Sequence, residues 1–175
     1  MNIKIEPAKF GQESQLQSLY EKVADITNGI IRKKDEIDKE YISGFLNRSI
    51  GNGLILVGLN DDIIVGEIHA YTPDIYAFKH ILTDLTIVVD PDYQRRGIGR
   101  RLFEEFLEIV RKKYSHILRI ELFVREHNKH VVKFYESLGF KNEGRQESKI
   151  FCSESVFETP LHMAWLNPYY GKSKN

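Results

Sequence analysis

The sequence predicts an α/β (α+β) protein, one mixed sheet with helices on its faces. Two observations carry that prediction. The apolar spacing switches along the chain between the alternation of strands and the three-and-four spacing of helices, in the order β-α-α-β-β-β-α-β-α-β-β. The 175 residues contain no repeat, low-complexity tract or linker, and 42% of them are apolar, enough for one continuous core. A single domain over residues 1–175 is therefore expected.

Each element has its own signal. Ile3-Lys4-Ile5-Glu6 alternates as a strand does, and the stretch from Met1 lacks the apolar middle of a signal peptide. Leu16, Leu19, Tyr20, Val23 and Ile26 predict a helix over residues 12–27. Ile37, Tyr41, Ile42, Phe45 and Leu46 predict a second from residue 35, ended by Gly51-Asn52-Gly53. Residues 54–59 and 63–71, rich in β-branched side chains and joined by Asn60-Asp61-Asp62, read as a hairpin. A loop over 72–80 carries Tyr76, Phe78 and His80, and a strand over 81–89 stops at Asp90-Pro91-Asp92. Ile98, Leu102, Phe103, Phe106, Leu107 and Val110 share one face of a helix reaching residue 114. Then come a strand over 117–124, a helix over 128–138 stopped by Gly139, and closing strands over 140–151 and 156–166.

Composition limits the function. Lysine plus arginine equals aspartate plus glutamate at 25 each, so no global charge draws the chain to nucleic acid or to an anionic membrane. No stretch approaches the roughly 18 apolar residues of a membrane helix. The one cysteine, Cys152, cannot form an internal disulfide and has no activating base beside it, which fits a reducing, cytoplasmic setting. His127 and His130 have no third ligand nearby, so no metal is expected. Trp165 reads as a core or dimer contact.

The chemistry concentrates at Gln94-Arg95-Arg96-Gly97-Ile98-Gly99, between a strand and an amphipathic helix. The first turn of a helix leaves N–H groups unpaired, and its dipole favours an anion there. A side chain at Gly97 or Gly99 would hold a pyrophosphate away, and Arg95, Arg96, Arg100 and Arg101 surround the loop with positive charge. A dinucleotide fingerprint would need glycine at Leu102, and a P-loop would need Lys-Ser or Lys-Thr where Arg100-Arg101 stand.

A second block follows the next strand: Asn128-Lys129-His130-Val131-Val132-Lys133-Phe134-Tyr135-Glu136-Ser137-Leu138-Gly139-Phe140. Together the two blocks resemble the GNAT superfamily of acetyl-CoA-dependent N-acetyltransferases, with Val131 in place of the usual alanine. The resemblance implies a mostly antiparallel, twisted sheet of about seven strands, splayed in the middle and flanked by about four helices. It implies acetyl-CoA as acyl donor, with its pantetheine along Ile87, Val88 and Val89. Its pyrophosphate would sit at the loop from Gln94 to Arg100, on N–H groups of Arg95, Arg96, Gly97, Ile98, Gly99 and Arg100. Asn128 would hydrogen-bond the pantetheine arm near the splay and the stretch to Val131 would line the cofactor; an N–H near Val89 would serve the oxyanion, and Tyr135 would be the general acid toward the departing thiolate.

The expected reaction is direct attack of a primary amine on acetyl-CoA in a ternary complex. The position where many family members carry a glutamate base is Thr83, which cannot serve; Asp84, Glu67, His69 and His80 are the substitutes, and the base stays unassigned. By the resemblance, the acceptor pocket would be built from the two N-terminal helices, the 72–80 loop and the closing strands. A small-molecule amine is favoured because no long charged strip suggests a macromolecular track. The alternatives are a protein N-terminus or lysine as acceptor, or a CoA-binding regulatory module without catalysis. An RNA-directed member would want a broad basic face, which the zero net charge disfavours. A homodimer fits the resemblance and stays open.

Overall fold

Alternate residues of one strand feed two separate cores. The strand Gly53–Asn60 (β2) sends Leu54 and Leu56 to one face of the sheet and Ile55, Val57 and Leu59 to the other. This is how residues 3–26 and 29–172 of a computed structural model are organised: one central sheet with a hydrophobic core on each side. Its strands are Ile3–Pro7 (β1), β2, Ile63–Tyr71 (β3), Ile81–Val89 (β4), Arg119–Arg125 (β5), Lys141–Arg145 (β6) and Pro160–Leu166 (β9). They lie in the order β1-β2-β3-β4-β5-β9-β6, and every neighbouring pair is antiparallel except β4 and β5. A separate hairpin, Ile150–Ser153 (β7) with Val156–Glu158 (β8), stands apart. The expected mixed, mostly antiparallel sheet of seven strands with four α-helices is thus observed among the described residues.

One face is covered by Glu13–Ala24 (α1) and Lys39–Asn52 (α2), which bury Leu16, Leu19, Tyr20 and Val23, and Ile42, Phe45 and Leu46. The other is covered by Ile98–Lys113 (α3), all six of whose predicted apolar residues are buried, and by Lys129–Ser137 (α4). Gly139, at φ +94°, ends the α4 segment in the left-handed conformation that glycine adopts without Cβ strain. Trp165 is 4% exposed within the α3-side core.

Three boundaries differ from the sequence reading. The first helix stops at Ala24, and its expected end at Thr27 lies outside the described residues. The second begins at Lys39 rather than residue 35, because the Asp38 carboxylate accepts the Tyr41 N–H at 2.7 Å and caps the helix there; Lys34–Glu36 forms a separate 3-10 turn. The closing segment divides into four strands, since Ser148 and Ser155 take positive φ and turn the chain out into the β7–β8 hairpin.

Candidate active site

A bulge opens the middle of the sheet. Between β3 and β4, Tyr71 faces Thr83 and His69 faces Thr86, so β4 carries one extra residue. Asp84, at φ +52°, lies within that stretch and the strand bends there. β4 pairs with β5 only through Ile81 and Leu82; beyond them β4 stays with β3 and a gap opens toward β5. The Asp90 N–H donates to the Val65 carbonyl at 2.9 Å. By antiparallel alternation the backbone of Val88 also pairs with β3, while the N–H and carbonyl groups of Ile87 and Val89 face the gap. Gln94 Nε2 donates to the Val89 carbonyl at 3.2 Å, leaving the Val89 N–H as the polar backbone group there.

At one mouth of the gap lies the glycine loop. Arg95 and Gly97 take left-handed conformations (φ +58° and +77°), turning successive N–H groups toward a concave surface. The first backbone bond of α3 runs from the Arg101 N–H to the Gly97 carbonyl at 3.0 Å, so the N–H groups of Ile98, Gly99 and Arg100 belong to the turn that a helix leaves unpaired. They border a cavity of about 640 Å³ lined also by Val88, Val89, Gln94, Arg95 and Gly97. The two glycines do different jobs. A Cβ on Gly97 would meet open space, so glycine is needed for backbone conformation; one on Gly99 would stand beside Val89 Cγ2 at 3.6 Å, on the cavity wall.

The four arginines do not act together. Arg95 and Arg100 line the cavity, and Arg100 also donates to Glu104 and Ser137, each at 3.2 Å. The Arg96 guanidinium donates to the Asp92 carbonyl at 3.0 Å and lies over Tyr93, outside the lining. Arg101 turns to the opposite side and donates to the Ile3 carbonyl at 2.9 Å, tying α3 to β1.

Ile87, Asn128, Val131 and Tyr135 line both this cavity and a second one that continues through the gap. Asn128 caps α4, its Oδ1 accepting the Val131 N–H at 3.4 Å. Tyr135 is 7% exposed among Phe103, Phe134 and Phe140, and burial pushes its phenol up to about 12. The hydroxyl therefore stays protonated throughout the neutral range.

The second cavity runs into a third, of about 670 Å³, through the shared residues Arg32, Tyr41, Leu85, Thr86 and Phe123. Here Arg48 donates to the Tyr71 hydroxyl at 3.2 Å, and Tyr71 donates to Asp84. Burial, and then the Asp84 hydrogen bond, push the Tyr71 phenol up to about 12. His69 lines the same cavity, 3% exposed and stacked flat on Phe45 at 4.2 Å. Beneath it Glu67 is wholly buried: Tyr20 donates to Oε2 at 2.6 Å, and His69 Nδ1 lies 3.0 Å from Oε1.

Of the substitutes for a base, Glu67, His69 and Asp84 are thus gathered at the far end of the gap. Thr83 instead donates to Glu121 at 3.4 Å. His80 lines a different cavity with Tyr76, His116 and Tyr170, so the 72–80 loop stands away from the His69 cavity. The closing strands contribute Ile150 and Pro160 to the gap. Sequence reasoning missed Tyr20, Arg32, Arg48 and Tyr71. Tyr20 alone carried a signal, since a tyrosine on the buried face of a helix needs a partner for its hydroxyl. Among the described residues no group of acidic, histidine or cysteine side chains is arranged to hold a metal, and no helix is long and apolar enough to cross a membrane.

Known proteins resemble this chain in sequence and in fold. The [Ribosomal protein bS18]-alanine N-acetyltransferase of Escherichia coli is 45% identical over 93 residues, which cover 51% of this chain and 61% of that protein. The chain thus spans less than two thirds of the length of that curated relative. The GNAT-family acetyltransferase structure from Streptococcus pneumoniae superposes with a TM-score of 0.84 at 25% identity, covering 94% of this chain and 99% of that one. The yncA structure from Salmonella typhimurium, solved with its cofactor acetyl-CoA, superposes with a TM-score of 0.82 over 99% of both chains; at 15% identity it shows likeness of fold alone. A family model described as Acetyltransferase (GNAT) family matches residues 16–140, and to that family the chain belongs.

Proposed function

We propose that this protein transfers the acetyl group of acetyl-CoA to a primary amine by direct attack in a ternary complex. One observation carries the reading: three cavities that share lining residues follow one another along the gap, with the glycine loop at one end, a polar cavity at the other, and Asn128 and Tyr135 between them. The pyrophosphate fits the N–H groups of the loop, where Arg95 and Arg100 add charge. Pantetheine can pair with the free backbone edge of Ile87 and Val89 as an added strand would. The acetyl carbonyl then lies by the Val89 N–H, a donor already aimed at the oxyanion that forms when the amine attacks. As the C–S bond breaks, the sulfur takes a hydrogen bond from the protonated Tyr135 hydroxyl.

The acceptor favoured here is a small amine, because helix α2, the segment before it and Phe123 wall the far cavity. A peptide α-amine is the second reading, supported by the alanine N-acetyltransferase activity named for the Escherichia coli relative. An acetylation assay over small amines, amino acids and short peptides, with detection of free thiol, tests both. Turnover of peptides alone would overturn the small-amine reading, and no turnover of any amine would overturn the reaction.

A further inference from the structure

We infer that His69 is the base that takes the proton from the acceptor ammonium, held for that role by Glu67 and Tyr20. The inference rests on the acetyl-transfer reading above and assigns the group that this reading leaves open. It starts from a buried carboxylate that has no place in an ordinary core. Glu67 is 0% exposed, and its two oxygens are each met by one group, Tyr20 at 2.6 Å and His69 Nδ1 at 3.0 Å. A carboxylate only accepts, so both groups must donate. Burial and then the Glu67 charge push the Tyr20 phenol well above its usual range, so it keeps its proton. His69 therefore carries hydrogen on Nδ1, and in the neutral ring Nε2 holds the lone pair. The ring is clamped flat against Phe45 and lines the cavity at the far end of the gap.

The other charges facing that cavity suit an ammonium. Asp84 from β4 and Glu36, Asp38 and Glu40 from the α2 side are acidic; Arg48 from α2 and Arg32 before it are basic, each lying over a tyrosine ring, that of Tyr71 and Tyr41 respectively. Tyr41 and Tyr71 stay neutral because burial raises both phenols. Asp84 is the weaker candidate for base, since it is exposed and already accepts the Tyr71 hydroxyl.

The step balances. The ammonium gives one proton to Nε2, leaving a neutral amine and an imidazolium whose charge Glu67 offsets. The amine lone pair forms the C–N bond and the C–S bond breaks while the leaving sulfur takes a hydrogen bond from Tyr135; the second nitrogen proton passes to solvent, and the thiolate takes one from solvent to leave as thiol. The imidazolium returns its proton to solvent. His69 is thus a catalytic residue; Glu67 and Tyr20 are positioning residues.

The test uses His69→Gln and Glu67→Gln with the best amine from the panel. Acetyl-CoA affinity and melting temperature serve as controls for folding. At pH 7 His69→Gln should lower kcat by about 100-fold or more, the low end for general acid–base catalysis. Glu67→Gln should lower it about tenfold, with little change in the KM for acetyl-CoA. For an amine with a pKa near 10.4, the His69→Gln rate should rise about tenfold per pH unit from 7 to 9, following the free amine. The wild-type rate should rise less steeply, so the deficit closes. Folded variants with wild-type kcat, or a deficit that stays constant with pH, would overturn the assignment while leaving acetyl transfer intact. If His69→Gln does not fold, Glu67→Gln decides alone by the same profile. A wild type that acetylates no amine overturns the reaction itself.

Discussion

Replacing Tyr135 by phenylalanine removes one hydroxyl and keeps a ring packed 5.6 Å from Phe103 and 5.9 Å from Phe140. Among the described residues nothing hydrogen-bonds that hydroxyl, so its loss should leave stability within about 0.5 kcal/mol. The kinetic effect follows from two acidities. The phenol is pushed up to about 12 by burial, whereas an ordinary thiol titrates near 8.5. Full proton transfer to the leaving sulfur is uphill by roughly 3.5 pH units, about 5 kcal/mol at 1.36 per unit. The phenol therefore acts chiefly as a hydrogen-bond donor to a developing thiolate, an interaction contributing about 1.5–3 kcal/mol. Each 1.36 kcal/mol is a factor of ten, so kcat should fall by about 10- to 150-fold. The deficit should be constant from pH 6 to 9, because a phenol at about 12 does not titrate there. Steady-state kinetics, with acetyl-CoA affinity measured by calorimetry, checks each part. Wild-type kcat would remove Tyr135 from the chemistry, and a matching fall in affinity would make it structural.

Three further outcomes are expected. Acetyl-CoA at 100 times its dissociation constant should stabilise the fold by about 2.7 kcal/mol, raising the melting temperature by roughly 5–10 °C; no shift at millimolar concentration would refute the loop as a phosphate site. Gly97→Ala meets no steric clash but forces a Cβ into φ +77°, which should cost about 1–2 kcal/mol in urea unfolding; an unchanged midpoint would show that the left-handed turn is not held in solution. Phe103→Ala empties a fully buried site against Phe134, Tyr135 and Phe140 and should cost about 3–5 kcal/mol, read by thermal unfolding. A loss below 1 kcal/mol would mean that the α3–α4 interface does not depend on this ring.

The fold and the glycine-loop cavity were legible because local sequence encodes them. Strand β4 and helix α3 come from unbroken periodic runs, and Gly97 marks a left-handed turn that few other residues accept. The β7–β8 hairpin was not legible, because it rests on positive φ at Ser148 and Ser155, where the sequence offers no glycine or asparagine as a signal. The loop arginines misled for a related reason. Charge near a helix start says how many cations are available, but α3 turns Arg101 onto β1 and leaves only part of the cluster beside the cavity.

The His69 cavity is harder to read because its polar residues are disguised as core. Tyr20 meets Glu67 and His69 across 47 and 49 residues of chain, and each alone fits its element: a helix-face aromatic, and two polar residues in a strand. The anomaly lies in the strand. β3 is buried along most of its length, so Glu67 and His69 have no solvent side to occupy. An uncompensated carboxylate there would cost several kcal/mol of desolvation. Alternation places both residues on the face away from Ile68 and Ala70, and that face is covered by α1 and α2. The donors must then come from His69 itself and from the covering helices, whose buried polar tips are few. Tyr20 is the side chain on α1 that combines full burial with a hydroxyl. A core built only for stability would be better served by apolar side chains of similar size, since replacing buried ion pairs in that way is often neutral or stabilising. Keeping a carboxylate, an imidazole and a phenol together therefore favours a task that needs a proton acceptor at the cavity wall.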